Sequence, residues 1–228
     1  MAQFERSEEE TIQAIKDWWK ENGRAVIAGV VLGIGGIVGV RYWFDAQATS
    51  RQEASQLYSQ VMMAVQSGNR QQAVGQVETL TGEYSSTVYA TLAALGMARL
   101  ELEAGEADNA ERHLRWALEN SKSDEYAHLA RQRLARLLIA REQPGQAATL
   151  LEGIEEGGYA SIYAEIRGDI EVARTQPAEA RSHYQTALRE TSQPLRRQLL
   201  QMKLAELSPG SAAPDTIPDP IQNNEVQP

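Results

Sequence analysis

The sequence predicts an all-α protein in which one N-terminal transmembrane helix is followed by a helical solenoid of about four helix pairs and a capping helix. Two observations support this fold class: residues 25–44 form one long apolar run, and a short motif then recurs at regular intervals from residue 65. We expect four segments, namely an amphipathic segment (1–24), the transmembrane helix (25–44), the repeat domain (45–207) and a proline-rich tail (208–228).

The first segment has the spacing of an amphipathic helix. Its large apolar residues, Ile12, Ile15, Trp18 and Trp19, recur near helical spacing, and Asn22–Gly23 is a typical helix stop. We therefore expect this helix to end before the apolar run. Its tryptophan pair favours a position in the membrane interface, and the alternative is a partner-binding element.

The apolar run, AVIAGVVLGIGGIVGVRYWF, has the length of one membrane crossing, because 20 helical residues span about 30 Å. It is not a dinucleotide-binding loop, since a GxGxxG pattern begun at Gly33 continues to Gly35 and fails at Val38. Small residues permit close approach of helices in lipid, so Gly29, Gly33 and Gly36 are candidate packing residues. We interpret the run as an uncleaved anchor; the alternatives are a cleaved signal, suggested by Ala46–Gln47–Ala48, and a buried soluble helix.

The charges beside the apolar run give the expected orientation. Lys16, Lys20 and Arg24 precede it, whereas Arg41 and Arg51 follow it. This bias favours a cytoplasmic N-terminus and an exported repeat domain. The chain has no cysteine, which is consistent with an oxidising compartment, and it has a net charge of −9 with no basic run, which argues against nucleic acid as a ligand.

Four segments of the remaining chain resemble one another: VQSGNRQQA (65–73), LEAGEADNA (102–110), IAREQPGQA (139–147) and VARTQPAEA (172–180). Their last residues, Ala73, Ala110, Ala147 and Ala180, are 37, 37 and 33 residues apart. This period is typical of tetratricopeptide-like repeats, in which small residues allow two antiparallel helices to approach. We therefore expect the four alanines to lie where the helices of each pair meet.

Turn residues and one further helix complete the predicted repeat domain. The predicted turns contain Gly68–Asn69, Gly105, Pro144–Gly145 and Pro177, with both prolines near the first helical position. A last helix would cap the stack through one apolar face made of Leu195, Leu199, Met202 and Leu207. The tail from 208 to 228 is rich in proline and poor in apolar residues, which predicts disorder; its alternative role is a docking peptide.

Residue patterns indicate a binding protein without a catalytic, metal or cofactor site. His113, His128 and His183 belong to no ligand or catalytic pattern, and Glu101, Glu103, Glu155 and Glu156 have the spacing of solvated helix faces. Tyr89, Tyr126 and Tyr159 recur at the start of the first helix of a unit, which usually lines the groove of a solenoid. They are candidate groove residues, with core packing as the alternative.

The segment KENGRAVIAGVVLGIGGIVGVRYW (20–43), followed by degenerate repeats that end at LQMKLAEL (200–207), resembles the YfgM-like family of ancillary SecYEG translocon subunits. The resemblance implies an inner-membrane protein with a cytoplasmic N-terminus and a periplasmic tetratricopeptide-like domain. It also implies an adaptor near the Sec translocon that links exported client proteins to a membrane-anchored chaperone of the prolyl-isomerase type. The alternative function is regulation of envelope-stress signalling through the cytoplasmic N-terminal segment.

Overall fold

A computed structural model describes the backbone of residues 2–208 and the side chains of residues 11–208. Within that range the regular elements are helices and one short 3-10 turn, with no strand. The predicted tail lies outside the described residues except for Ser208. The chain divides into two compact units, Met1–Leu57 and Tyr58–Pro228.

The first unit consists of most of helix α1 (Ala2–Gln66). The predicted helix stop at Asn22–Gly23 is wrong, because α1 continues through both residues. The Asn22 side chain donates to the Trp18 carbonyl oxygen one turn back, at 3.1 Å, and so does not divert the backbone. Gly23 is buried beside the Trp19 indole, where an added Cβ would lie 3.3 Å from the ring, so its missing side chain makes room for the tryptophan.

The apolar part of α1 is exposed along its length. Large side chains of the predicted transmembrane segment, including Ile27, Leu32, Ile37 and Trp43, each have more than half of their surface accessible. By length and composition, α1 is the one helix among the described residues that is long and apolar enough to cross a membrane.

The second unit pairs its helices in chain order, which confirms the predicted all-α repeat fold. Residues 58–66 of α1 accompany α2, as shown by the Gln76 Nε2 donor 2.9 Å from Gln60 Oε1. The later pairs are α3 with α4, α5 with α6 and α7 with α8, and α9 packs on α8. The bounds are α2 Arg70–Glu83, α3 Val88–Glu103, α4 Ala107–Asn120, α5 Asp124–Ala140, α6 Pro144–Thr149, α7 Ala160–Ala173, α8 Pro177–Glu190 and α9 Pro194–Glu206.

The same turn joins the two helices of every pair. One residue in each turn has a left-handed backbone: Gly68 and Gly105 in the first two turns, Glu142 and Thr175 in the last two. The next residue's N–H then donates to the carbonyl five residues back, from Asn69 to Ala64 and correspondingly in the other three turns. This pattern closes the end of the first helix by satisfying its free carbonyl oxygens. Pro144 and Pro177 occupy the first position of α6 and α8, as predicted.

The repeat alanines occupy equivalent places in the second helices. Ala73, Ala110, Ala147 and Ala180 are each the fourth residue of their helix, and each is fully buried. Their N–H groups make the first backbone hydrogen bond of the helix, for example from Ala110 to the Glu106 carbonyl oxygen at 3.0 Å. A residue with a small side chain at this place lets the second helix lie close to its neighbours.

The predicted packing face of α9 is wrong for three of its four residues, because only Leu207 packs, partly buried, against the core. Leu195, Leu199 and Met202 are exposed, whereas Leu200 is fully buried in a cluster with Ala180, Tyr184 and Ala187. The cause is electrostatic, because α7 carries a buried carboxylate, Glu165, that requires cationic partners. Arg196 Nη1 and Lys203 Nζ lie 2.7 and 3.0 Å from its two oxygens. The helix therefore places Arg196 and Lys203 towards Glu165 on α7. Leu195, Leu199 and Met202 are left exposed.

Candidate functional site

The first helices of the pairs lie side by side, because α3 contacts α5 and α5 contacts α7. This face of the second unit contains a cavity of about 470 Å³ between α3 and α5. Its apolar lining comes from six residues: Leu95, Ala98, Leu102, Leu114, Leu137 and Ala140. Three arginines, Arg99, Arg133 and Arg136, complete the lining. We refer to this site as the α3–α5 cavity; it suits an apolar group with a nearby negative charge.

A second cavity of about 450 Å³ lies beside it and includes α9. Arg136 lines both cavities, so the two are adjacent. The exposed apolar stripe of α9 lines this second cavity through Leu195, Leu199 and Met202. We refer to it as the α9 cavity. Sequence analysis missed both cavities, because arginines on exposed helix positions give no periodic signal of their convergence.

The three candidate groove tyrosines lie near the N-terminal ends of the first helices, and they are absent from the residues that line the two cavities. Each is half-buried. The Tyr89 ring centroid is 5.7 Å from that of Tyr58, a residue that sequence analysis did not single out. Burial raises the pKa of Tyr58, and the neighbouring Tyr126 raises it further. The structure therefore brings Tyr58, Tyr89 and Tyr126 together.

Tyr159 belongs to a different cluster, centred on a histidine. The His128 ring stacks on the Tyr159 ring, with centroids 4.2 Å apart, and its Nδ1 lies 2.6 Å from the hydroxyl oxygen of the fully buried Tyr163. Burial raises the pKa of Tyr163. His128 thus pairs with a tyrosine hydroxyl, and its ring covers one face of the Tyr159 ring.

The carboxylates predicted as solvated helix faces are not all solvated. Glu101 is 2% exposed and accepts a hydrogen bond from Arg70 Nε at 2.7 Å. Glu156 is half-buried and pairs with Arg167. A buried carboxylate needs a cationic partner. The helix-face pattern in the sequence does not show that Arg70, on α2 of the preceding helix pair, is the partner of Glu101.

His113 lies near Glu101 and is also half-buried. Burial is the main cause that lowers its pKa, and Arg112 lowers it further, against the opposing influence of Glu101 and Glu78. Among the side chains of residues 11–208, no group of three or more acidic or histidine side chains is arranged to hold a metal ion. Glu101 and Glu156, by contrast, are each engaged in an ion pair with an arginine.

The candidate glycines of the predicted transmembrane segment are open on α1. A Cβ added at Gly29, Gly33 or Gly36 would meet no atom within 4 Å. The glycines therefore leave a shallow strip on the helix surface rather than fitting against another part of the described chain.

Comparisons with known proteins identify similar proteins over most of the chain. A family model described as a tetratricopeptide repeat-like domain matches residues 16–209. The chain is 29% identical over 202 residues to a protein of Escherichia coli strain K12, covering 89% of this chain and 97% of that protein. It is 32% identical over 200 residues to one of Haemophilus influenzae, covering 88% and 97%. Both are named "Ancillary SecYEG translocon subunit", as is a Neisseria gonorrhoeae protein that is 30% identical over 202 residues, covering 88% and 97%. No solved structure matches the chain significantly.

Proposed function

This chain belongs to the ancillary SecYEG translocon subunit family and carries its tetratricopeptide repeat-like domain, and from this premise we propose that it is a non-enzymatic adaptor anchored at the Sec translocon. In this proposal, the repeat domain links exported client proteins to a membrane-anchored periplasmic chaperone of the prolyl-isomerase type. The observation that carries the proposal is the combination of one exposed apolar helix with a repeat domain that has open apolar cavities. Tethering raises the local concentration of a weak binding surface where client chains emerge.

The proposed topology has residues 1–24 in the cytoplasm, residues 25–44 across the inner membrane and residues 45–207 in the periplasm. Lys16, Lys20 and Arg24 support this orientation, since positive charges are retained on the cytoplasmic side. The absence of cysteine makes the test direct. A membrane-impermeant thiol reagent should label Ser192→Cys in intact spheroplasts, whereas Gln13→Cys should be labelled only after lysis; the reverse result would contradict the orientation.

Three sets of residues receive roles in this proposal. Gly29, Gly33 and Gly36 form the strip of α1 that approaches a membrane partner, and Ala73, Ala110, Ala147 and Ala180 hold the helix pairs together. Tyr89, Tyr126 and Tyr159 contact client chains at the edge of the first-helix face, with core packing as their alternative. Their half-burial supports both roles, because a half-buried ring packs on one side and is accessible on the other.

Site-specific photo-crosslinking in native membranes tests the association. A photoreactive side chain at Ile37 is suitable, because Ile37 is exposed and lies one turn after Gly33. We expect a crosslink to a SecYEG subunit, and a second one to the chaperone from positions in the repeat domain. If neither appears while a crosslinker in SecYEG captures its other neighbours, the adaptor proposal fails.

A second function, regulation of envelope-stress signalling through residues 1–24, is favoured by the exposure of Trp18 and Trp19. Both indoles are more than half exposed, with ring centroids 6.5 Å apart, and together they form an apolar surface on α1. Deleting residues 1–22 separates the two functions. An adaptor should keep its chaperone association, whereas a regulator should lose its effect on stress-response output.

A further inference from the structure

The α3–α5 cavity is lined by positive charge, whereas the chain as a whole is negatively charged. Its lining contains Arg99, Arg133 and Arg136 and no carboxylate, although the chain as a whole has a net charge of −9. Arg99 and Arg133 line the same cavity, and burial together with the charge of Arg99 lowers the pKa of Arg133. A concentration of like charge at an apolar site favours an anionic occupant.

The three arginines are only weakly engaged with the protein. Arg133 has no carboxylate partner within the part of the chain whose side chains are described, and it donates to the Leu95 carbonyl oxygen at 3.4 Å. Arg136 lies 3.8 Å from Glu165, which has two closer cations in Arg196 and Lys203. The Arg99 pair with Glu103 is exposed at both side chains, so solvent screens it and it stabilises little. The guanidinium groups can therefore be offered to a ligand.

Arg136 lines both the α3–α5 cavity and the α9 cavity. The α9 cavity is also lined by Glu165, whose charge is met by Arg196 and Lys203. In the second cavity the exposed residues Leu195, Leu199 and Met202 form one stripe along α9. A ligand that uses both cavities has two apolar groups with a negative charge between them. A polypeptide in which an acidic residue separates two large apolar residues has this chemistry.

We propose that the two cavities bind an unfolded polypeptide segment in which aspartate or glutamate alternates with large apolar residues, with the carboxylates on Arg133 and Arg136. The inference rests on the proposed function for the source of the segment, namely an exported client chain. It adds a preference that the adaptor function does not require. Apolar cavities alone would accept any unfolded chain, whereas the arginines select acidic segments and disfavour basic ones.

The test uses the full-length protein in detergent and fluorescent peptides of alternating Asp and Leu, Asn and Leu, or Lys and Leu. We expect the Asp peptide to bind and the Lys peptide not to bind, as followed by fluorescence anisotropy. The Asn peptide should bind about tenfold or more weakly, since it cannot make charge-assisted hydrogen bonds to arginine. This comparison needs no protein variant. Equal binding of the Asp and Asn peptides would overturn the proposed preference for acidic segments.

Protein variants locate the site. Arg133→Gln and Arg136→Gln should each weaken binding of the Asp peptide and leave binding of the Asn peptide nearly unchanged. The matched control is Arg189→Gln, an exposed arginine on α8 that should have no effect. Glu165 keeps Arg196 and Lys203 in Arg136→Gln, so the fold should persist, and circular dichroism checks it. If the control variant weakens binding as much as the other two, the site lies elsewhere.

Deletion of residues 209–228 decides between a foreign segment and the chain's own tail. That tail contains Asp215, Asp219, Ile217 and Ile221 and has the same chemistry. If the Asp peptide binds only after the deletion, the tail is the occupant and our proposal is overturned. The parent protein separates this inference from the adaptor function. If it forms the Ile37 crosslink to SecYEG but does not bind the Asp peptide, this inference alone is rejected; if it binds the peptide but forms no crosslink, the adaptor function alone is rejected.

Discussion

Gly168 on α7 lies directly against the ring of Tyr184 on α8: a Cβ on residue 168 would be 3.0 Å from Cζ and closer still to Cε1 and Cδ1. In the preceding helix pair, Ala135 corresponds to Gly168 and Leu151 corresponds to Tyr184, each 33 residues earlier, and both are buried. The fourth helix pair, α7 and α8, therefore combines a larger residue on its second helix, Tyr184, with a smaller residue on its first, Gly168. The tyrosine hydroxyl donates to Asp169 Oδ1 at 2.7 Å, and burial with this contact raises the pKa of Tyr184.

Gly168→Ala should destabilise the protein by about 1–3 kcal/mol, because overpacking at the ring exceeds the gain in helix propensity. The loss of stability caused by Gly168→Ala should be smaller in a Tyr184→Leu background. The double variant has the same combination of alanine and leucine as the third helix pair. Thermal unfolding of the four proteins, followed by circular dichroism, gives the coupling energy. Equal losses in the two backgrounds would show that the ring does not require the glycine.

Ala147→Asp should destabilise the second unit by about 3 kcal/mol or more, because Ala147 is fully buried and an unpaired carboxylate there loses its hydration. Gln146→Asp is the matched control, since Gln146 is exposed on the same short helix. The measurement is the urea concentration at half-unfolding. A control variant as unstable as Ala147→Asp would show that acid anywhere in α6 is harmful, and that burial is not the cause.

Thr175→Gly should stabilise the protein by about 1 kcal/mol, because Thr175 has φ of +60° and a β-branched residue is strained there. The reverse change in the equivalent turn, Gly105→Thr, should be destabilising by a similar or larger amount, since Gly105 has φ of +79°. Thr175 also donates to the Arg174 carbonyl oxygen at 2.6 Å, which reduces the gain. Thermal unfolding decides the sign, and a loss of stability in Thr175→Gly would contradict the strain argument.

The sequence was sufficient for features that depend on local spacing and insufficient for features that depend on distant partners. The repeat period predicted the helix pairs, and proline predicted the first positions of α6 and α8, because both signals are carried by neighbouring residues. The rotation of α9 depends on Glu165, about 30 residues earlier, and the burial of Glu101 depends on Arg70. The left-handed Glu142 and Thr175 were missed because the turn geometry that recurs in all four helix pairs overrides their own backbone preference.

The stability of the protein should fall between about pH 7.5 and 5.5 partly through His113. Burial lowers the pKa of His113 in the folded state, so the unfolded state binds its proton first. The stabilisation is therefore complete above the ordinary histidine pKa of about 6.5 and is lost as the pH falls below it. His113→Gln should show a smaller change in urea midpoint between these two pH values. A change as large as that of the parent protein would assign the pH dependence to other groups.

Gly33→Leu should leave membrane insertion intact and weaken the contact that the glycine strip makes with a membrane partner. Insertion should persist because leucine is more apolar, and the chain's own packing should persist because no atom lies within 4 Å of the added Cβ. A close helix contact should lose about 1 kcal/mol or more when leucine separates the two backbones. The measurement is the yield of the Ile37 photo-crosslink to SecYEG in native membranes, compared with Val31→Leu, which adds bulk on the other side of the helix. If both variants crosslink like the parent protein, the glycines have no packing role, and the adaptor must be held at the translocon by its repeat domain.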